Sequence, residues 1–435
     1  MSQVISSTID STAIQSLADR YNEPKWARDL REQAFAAFQT MALPAKDEGW
    51  RNLRLRDVPL DSIIPYTVAK PLATEPFKKL EISSAATLVH YNSEVQQVRI
   101  DPELEAKGVI FMSLQEAISK HADKVEKYLG KLYDVKESKF AALHYALRTG
   151  GMFLYIPKNV VIDQPIQVFT YADEANAGVF NHTLVVAEPF SQVSIIDYSV
   201  SDLRGGQCVH SGAVEIFAEE GAKVSYIALQ NFDNGVFSFN PRRAHIGKNA
   251  EVKWSVSELG AQLARSESVS YLEGDGAASD AVVVFFGSEK QSLDVSAGMI
   301  HTGNHGVSDI VAKGVMKDQA RTIWRGLGHI KQGAKSCKTY QAERSLILSE
   351  GAKGDAIPGL LIEETDVLGA GHAAAVGRID EEQLFYLMSR GITLAQAHRM
   401  IVEGFFGAVL DRIPVEVIRD EVYALIRKKL GDQNV

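Results

Sequence analysis

The spacing of apolar residues divides the chain into a helical part, a long strand-forming part and a second helical part. In the segment NEPKWARDLREQAFAAFQTM, apolar residues from Trp26 to Met41 recur at helical spacing. SLQEAISKHADKVEKYL and SKFAALHYALRTGG have the same period, and Gly150 and Gly151 are expected to end the second of these helices. Residues 1–150 are therefore predicted to form an N-terminal helical region, although ATLVHY within it has the pattern of a strand.

From Met152 onwards the period changes to that of β-strands. Short β-branched and aromatic runs, among them PIQVFTY, HTLVVAE and KVSYIAL, are separated by Gly, Asn, Asp and Pro. The segments FSQVSII, GAKVSYI and NAEVKWS repeat a corner before a valine, and Val193, Val224 and Val252 are 31 and 28 residues apart. Such a period, made of strands and tight corners, is typical of a solenoid. A β-sandwich would give similar strands without the recurring corner, so residues 151–378 are predicted to form a parallel β-helix.

After Arg378 the helical period returns, which predicts a C-terminal helical region over residues 379–435. Its segments EEQLFYLMSR, LAQAHRMIVEGFFGAVL and VEVIRDEVYALIRKKL are each amphipathic. In the last of them one apolar stripe runs along a single face and consists of Val415, Ile418, Val422 and Leu425. Such a stripe either caps a solenoid or binds a partner, and the pattern leaves both interpretations open.

Composition and charge exclude several classes of protein. A formal net charge of -9 over 435 residues argues against a nucleic-acid partner. The cluster of Arg51, Arg54 and Arg56 is expected to be a solvated or salt-bridged face. Two cysteines, Cys208 and Cys337, are too few for a disulfide framework or a self-contained cysteine-ligated cluster, and each is expected to be a small filler or a bystander. The N-terminal segment has no secretory pattern and no apolar window spans a bilayer, so we expect a cytoplasmic protein without a membrane partner.

The sequence also lacks the motifs of common catalytic sites. GAKSCKT, at residues 333–339, lacks the second glycine of a phosphate-binding loop, and no nucleophile elbow, zinc-protease motif or dinucleotide fingerprint occurs. His301 and His305 are four residues apart, but in a glycine-rich strand region their imidazoles would diverge. By elimination, the chain is predicted to be a binding or assembly protein rather than an enzyme.

His372 is the most conspicuous candidate for chemistry. It lies in TDVLGAGHAAAVGRIDEEQLFYLMSRGI, among small residues and just before a helix. An imidazole titrates near neutral pH and binds metals. Taken alone, such a histidine in a Gly/Ala-rich turn is more often a packed, hydrogen-bonded structural residue than a ligand.

Four stretches give the chain a resemblance to a known family. They are LPAKDEGWRNLRL, KFAALHYALRTGGMFLYIPKNVVIDQPIQV, TYQAERSLILSEGAKGDAIPGLLI and GHAAAVGRIDEEQLFYLMSRGI. In these the chain resembles the SufB/SufD superfamily of bacterial iron–sulfur cluster assembly proteins. The resemblance implies a mainly β fold, in which a right-handed parallel β-helix is flanked by N-terminal and C-terminal helical regions.

The residues favour the SufD branch of that superfamily. SufB-type members carry a scaffold cysteine before their SLLI segment and a His-Glu pair before the following helix, whereas here Glu343 and Ala373 occupy those positions and His372 is kept. The segment TDVLGAGHAA also carries one residue more than commoner members. A SufB-type scaffold remains the alternative. A β-helix enzyme acting on polysaccharide is a more distant one, because such enzymes are exported and need clustered carboxylates.

The resemblance implies a non-catalytic scaffold partner. Such a chain would pair with a SufB-like subunit through the β-helix and with a SufC-like ATPase through the C-terminal stripe from Val415 to Leu425, and the isolated chain could form a homodimer. His372 would lie at the SufB interface as a transient metal ligand for the nascent iron–sulfur cluster, with its small neighbours allowing close approach of the partner's backbone. No cofactor is expected to be held stably by the chain alone.

Overall fold

The computed structural model describes residues 9–67, 77 and 80–431 of the chain. Residues 1–8 of the segment inspected for a secretory signal lie outside this range. Short 3-10 turns occupy Leu55–Asp57 and Leu60–Ser62. The helices of the N-terminal part are α1 (Ser11–Arg20), α2 (Lys25–Thr40), α3 (Pro102–Ala106), α4 (Leu114–Lys120), α5 (Ala122–Tyr128) and α6 (Lys139–Leu147). Three strands lie among them, namely β1 (Ala86–Tyr91), β2 (Glu94–Ile100) and β3 (Ile110–Ser113).

A long series of strands follows. These are β4 (Met152–Ile156), β5 (Ile166–Ala172), β6 (Gly178–Ala187), β7 (Gln192–Ser201), β8 (Cys208–Ala218), β9 (Lys223–Asn231), β10 (Val236–Ile246), β11 (Glu251–Glu258), β12 (Leu263–Leu272), β13 (Ala278–Gly287), β14 (Ser292–His301), β15 (Val307–Met316), β16 (Arg321–Ile330), β17 (Cys337–Ile347), β18 (Lys353–Ile362) and β19 (Val367–Arg378). The chain then forms α7 (Glu381–Ser389), α8 (Leu394–Leu410) and α9 (Glu416–Lys429).

The strands alternate between two sheets. A ten-stranded sheet has the order β19-β17-β15-β13-β11-β9-β7-β5-β1-β2, and a nine-stranded sheet has the order β18-β16-β14-β12-β10-β8-β6-β4-β3. From β5 onwards each strand pairs in parallel with the strand two positions away in sequence. Each coil therefore contributes one strand to each sheet, which is the arrangement of a parallel β-helix and confirms the predicted fold class.

The predicted repeat and its corner are confirmed in detail. Val224 pairs in register with both Val193 and Val252, and all three side chains are buried between the sheets. The residue three positions before each valine has a left-handed backbone, with φ of 61° at Phe190, 67° at Gly221 and 53° at Asn249. At each of these corners the backbone N–H donates to a carbonyl of the following coil, over 2.8–2.9 Å. Gly and Asn adopt a left-handed φ more readily than other residues. The corners at Gly221 and Asn249 can therefore be recognised from the sequence.

The two helical regions pack on opposite outer faces of the solenoid. Helices α2 and α6 contribute to an apolar cluster with Phe180, Phe217 and Phe239 on the outside of the nine-stranded sheet. Helices α8 and α9 form a second cluster against the outside of the ten-stranded sheet, where they meet Ile196 and Phe286. Among the described residues, no helix is long and apolar enough to cross a membrane. The arginines at positions 51, 54 and 56 are exposed, as expected for a solvated face.

A buried chain of hydrogen bonds fixes α6 to the nine-stranded sheet. Nδ1 of His144 lies 3.0 Å from the Ser211 hydroxyl, and its Nε2 lies 3.0 Å from Nδ1 of His182. Nε2 of His182 lies 3.0 Å from the Glu215 carboxylate. This carboxylate also accepts the backbone N–H groups of Gly130, Leu132 and Tyr133. Since a carboxylate only accepts, the chain closes when the Ser211 hydroxyl donates to His144, and each imidazole is neutral and donates through Nε2. Burial lowers the pKa of both histidines, and for His182 the Glu215 carboxylate opposes that shift.

Acidification should weaken the fold through this network. The pKa of folded His144 lies well below the ordinary 6.5, so the unfolded chain binds more protons as the pH falls. The stabilisation is therefore complete above about pH 6.5 and is lost as the pH falls towards the lowered pKa. We expect His144→Gln to cost about 1–3 kcal/mol of unfolding free energy near neutral pH, and the difference from wild type to narrow by about pH 5.

Urea unfolding near neutral pH and at about pH 5 measures the difference in unfolding free energy between His144→Gln and the wild type. His305→Asn is the matched control, because His305 is exposed and Asn tolerates its left-handed φ of 58°. A free-energy difference for His144→Gln that is the same at both pH values would contradict the assignment.

Candidate functional site

The two ends of the solenoid are built differently. At the first end, β2 and β3 are the last strands and pair antiparallel with their neighbours. Leu104 of α3 and Phe111 of β3 are buried in the core between the sheets at this end. At the other end, β18 and β19 are the last strands, and each sheet stops there within the described part of the chain. Neither β18 nor β19 contains a single buried residue. The last coil thus exposes apolar surface, including Leu361 and Leu368, and an unpaired strand edge.

His372 lies in the middle of β19, on this last coil. The expectation of a Gly/Ala-rich turn is wrong, because residues 369–378 pair in parallel with β17. His372 is opposite Gln341, whose side chain is buried between the sheets, so both belong to the inner face. With no further coil above it, His372 is exposed. The structure therefore presents this imidazole at the open mouth of the β-helix.

The additional residue of TDVLGAGHAA is taken up by a β-bulge. Cys337 pairs with Val367 and Lys338 pairs with Gly369, which leaves Leu368 without an opposite residue. The bulge precedes His372, so the pairing from Lys338 onwards is regular. Leu368 is pushed outward and is 71% exposed.

Contacts within this chain explain why two of the residues around His372 are glycines. A Cβ atom on Gly369 would lie 2.7 Å from the Tyr340 hydroxyl oxygen, and one on Gly371 would lie 3.1 Å from the Tyr340 ring. The glycines thus make room for an aromatic ring of the neighbouring strand. Close approach of a partner's backbone is not needed to explain them.

Glu343 lies one inner-face position beyond Gln341 on β17. Its carboxyl group is buried, accepts a hydrogen bond from the Ser345 hydroxyl, and has no hydrogen-bond partner at Oε2. Burial raises the pKa of this carboxyl, against the opposing hydrogen bonds from Ser345 and the Ala375 backbone. Sequence comparison had singled out Glu343 only as the replacement for a cysteine; its burial depends on facing inward, which the alternation along β17 could have indicated.

The two cysteines, and the histidines His301 and His305, are not arranged as a metal site. Cys208 is buried, which raises its pKa to about 12. Cys337 is buried as well, and its sulfur accepts the Gly306 N–H at 3.3 Å and donates to the Gly303 carbonyl at 3.2 Å. His301 is buried and hydrogen-bonded to a serine, whereas His305 is at an exposed corner. Across the described ranges, no group of three or more His, Cys, Asp or Glu residues could hold a metal ion.

The predicted docking stripe of α9 faces the protein itself. Ile418 and Val422 are fully buried in the cluster against the ten-stranded sheet, and Val415 and Leu425 are partly buried beside it. By contrast, α7 contains no buried residue, and its Phe385 is 75% exposed. The apolar surface available to a partner in this region lies therefore mainly on α7 and the start of α8, which the helical pattern alone did not distinguish.

Comparisons with known proteins identify the family that this chain matches. The family model for the SufBD core domain of the SUF system for FeS cluster assembly matches residues 169–405, and the model for the SufBD protein N-terminal region matches residues 71–168. The chain is 34% identical to the iron–sulfur cluster assembly protein SufD of Bacillus subtilis (strain 168) over 431 residues, which cover 97% of this chain and 98% of that protein. It is 30% identical to an iron–sulfur cluster assembly SufBD family protein of Staphylococcus aureus (strain MRSA252), over 93% of this chain and 89% of the relative.

The burial of the α9 stripe leads to a stability prediction. Ile418→Ala should lower the free energy of unfolding by about 2–5 kcal/mol, because it leaves a cavity between α9 and the ten-stranded sheet. Phe385→Ala, on the exposed helix α7, should change it by no more than about 0.5 kcal/mol. Denaturant unfolding of the two variants checks the difference. Equal and small effects would show that the stripe does not pack as described.

Proposed function

This chain belongs to the SufBD family of iron–sulfur cluster assembly proteins, and we propose that it serves there as a SufD-type scaffold partner. In this role it pairs with a SufB-like subunit and a SufC-like ATPase, and it does not itself catalyse a reaction. The observation that carries the proposal is the unburied last coil at β18 and β19. A solenoid whose terminal coil is left uncovered by the described residues is expected to need a partner there.

Several features of the open end support pairing with a SufB-like β-helix. The free edge of β19 offers backbone N–H and C=O groups to a strand of the partner. Exposed Leu361, Ile362 and Leu368 supply apolar area next to that edge. A partner of the same architecture would present an equivalent edge. The same surfaces could support a homodimer of the isolated chain.

His372 is proposed to contact the nascent cluster at this interface. The cluster is the cargo of the complex, and its thiolate ligands would come from the SufB-like subunit, because Cys208 and Cys337 are both buried here. An imidazole is a borderline ligand suited to Fe(II), whereas thiolates hold iron–sulfur clusters more firmly. A site that mixes the two across an interface would hold the cluster without making its release difficult.

The SufC-like ATPase is proposed to dock on α7 and the start of α8. Phe385, Tyr386, Leu394 and Met400 are exposed large apolar residues on these helices. An exposed amphipathic helix suits recognition in a groove of a partner. ATP hydrolysis would belong to that partner, since this chain has no phosphate-binding loop.

The first test concerns His372 in the purified complex. His372→Ala should leave folding and assembly intact because the side chain is exposed, yet lower the rate of cluster formation by about tenfold or more, as is usual when a group near a metal is lost. His372→Cys should recover part of the activity or give an over-stable cluster. His305→Asn is the matched control, because His305 is also exposed but lies at a corner of the solenoid. Cluster formation at the wild-type rate in the alanine variant would end the proposed role.

The second test concerns the ATPase. Phe385→Ala and Tyr386→Ala should each weaken its binding by about thirtyfold, the effect expected for an aromatic anchor at the centre of an interface. Phe190→Ala is the control, because Phe190 is also exposed but lies at a corner of the solenoid. Binding of the tagged ATPase to each purified variant would be measured by calorimetry. Unchanged affinity in both α7 variants would place the docking surface elsewhere.

A further inference from the structure

Strand β19 has few side chains that could fix its pairing with β17. Its outer-face positions from Lys338 onwards are Gly369, Gly371, Ala373, Ala375 and Gly377. None of its residues is buried, and no strand pairs with its far edge among the residues that the structure describes. A strand rich in Gly and Ala specifies its register weakly and is prone to slip. Something else must select the register that is observed.

A competing register is available because of the bulge. If Leu368 paired with Lys338 instead of bulging out, every later residue of β19 would move by one position relative to β17. Gly371 would then lie opposite Gln341, and His372 would lie opposite Ala342. Because successive side chains point to opposite faces, His372 would turn from the inner face to the outer face. The bulge-free pairing would also give Leu368 an opposite residue on β17. It would therefore not lose backbone hydrogen bonds relative to the observed pairing.

Tyr340 distinguishes the two registers. Its ring lies across Gly369 and Gly371 so closely that a Cβ on the first would be 2.7 Å from Oη and a Cβ on the second 3.1 Å from the ring carbons. The Lys338 ammonium lies 5.3 Å from the centroid of the same ring. In the bulge-free register, Tyr340 would face Ala370, flanked by Leu368 and His372, and the flat contact with two glycines would be lost. An aromatic side chain packed over glycines of a neighbouring strand is a known means of stabilising such pairs.

We propose that Tyr340 is a positioning residue for His372. By covering Gly369 and Gly371, its ring selects the bulged register of β19 and thereby turns His372 to the inner face at the open end. The choice of register depends only on the pairing of β19 with β17 and on the contacts of Tyr340 with Gly369 and Gly371. Its consequence for cluster assembly rests on the function proposed for His372.

Disulfide trapping in the full-length chain reports the register directly. Ala342 and Ala373 are directly opposite each other on the exposed outer face, so Ala342→Cys combined with Ala373→Cys should cross-link readily under mild oxidation. In the bulge-free register, the thiol introduced at position 373 would point to the other face. Both native thiols are buried and should not interfere.

Four changes are then added to this cysteine pair. Tyr340→Ala and Gly371→Ala should slow cross-linking by about tenfold or more, because without the ring contact the bulge-free register, which has one more paired position, becomes the favoured one. Tyr340→Phe keeps the ring and should remain within about threefold of the parent. Gly377→Ala makes the same chemical change as Gly371→Ala on the same strand and face, but a Cβ there would meet nothing within 4 Å, so its rate should equal that of the parent.

Undiminished cross-linking in both Tyr340→Ala and Gly371→Ala would overturn the proposal, as would equal slowing by Gly377→Ala. Circular dichroism and thermal unfolding of each variant confirm that the rest of the chain is folded. Cluster formation on the complex, measured with Tyr340→Ala in the chain with its native alanines, separates the two claims. Slow cross-linking with undiminished cluster formation would support the register and overturn the role proposed for His372.

Discussion

A parallel β-helix has to cover the core between its two sheets at both ends, and the described residues of this protein cover it at the N-terminal end only. At the N-terminal end, β2 and β3 run antiparallel to their neighbours β1 and β4, and Leu104 and Phe111 are buried in the core between the sheets. At the C-terminal end the sheets stop at β18 and β19 with backbone groups and apolar side chains exposed. Unpaired edges of this kind promote association. The position of the candidate site, the exposure of His372 and the proposed need for a partner all depend on this asymmetry.

The same asymmetry distinguishes the positions of this chain's thiols from that of His372, the residue proposed to contact the cluster. Its thiols are buried in the body of the solenoid and hydrogen-bonded or packed there. The exposed imidazole of His372 is on the terminal coil. The helices divide in a similar way, since α9 uses its apolar stripe to hold the ten-stranded sheet whereas α7 leaves aromatic side chains in solvent. The proposed binding surfaces thus lie where apolar or polar side chains have no packing or hydrogen-bonding role within the described fold.

Much of the fold could be predicted from the sequence, because it depends on local patterns. The valines at positions 193, 224 and 252 repeat with the coil, and the left-handed corners before two of them carry Gly221 and Asn249. The candidate site around His372 was harder to predict from the sequence. Gly and Ala around His372 have no strand preference of their own, so the strand results from pairing with β17 and from the Tyr340 ring, a contact between residues distant in sequence. Likewise, amphipathicity shows that one face of α9 is buried, but it does not show against what.

The central claim is that the open end of the solenoid is completed by a SufB-like subunit, and amide hydrogen exchange measures this most directly. The full-length chain would be compared alone and after purification with that subunit. Our account predicts that protection rises most strongly in β18 and β19, including residues around His372, because amides at a free edge become hydrogen-bonded on pairing. Protection confined to the N-terminal helices or to the faces of the sheets, with β19 exchanging as it does in the isolated chain, would contradict the account.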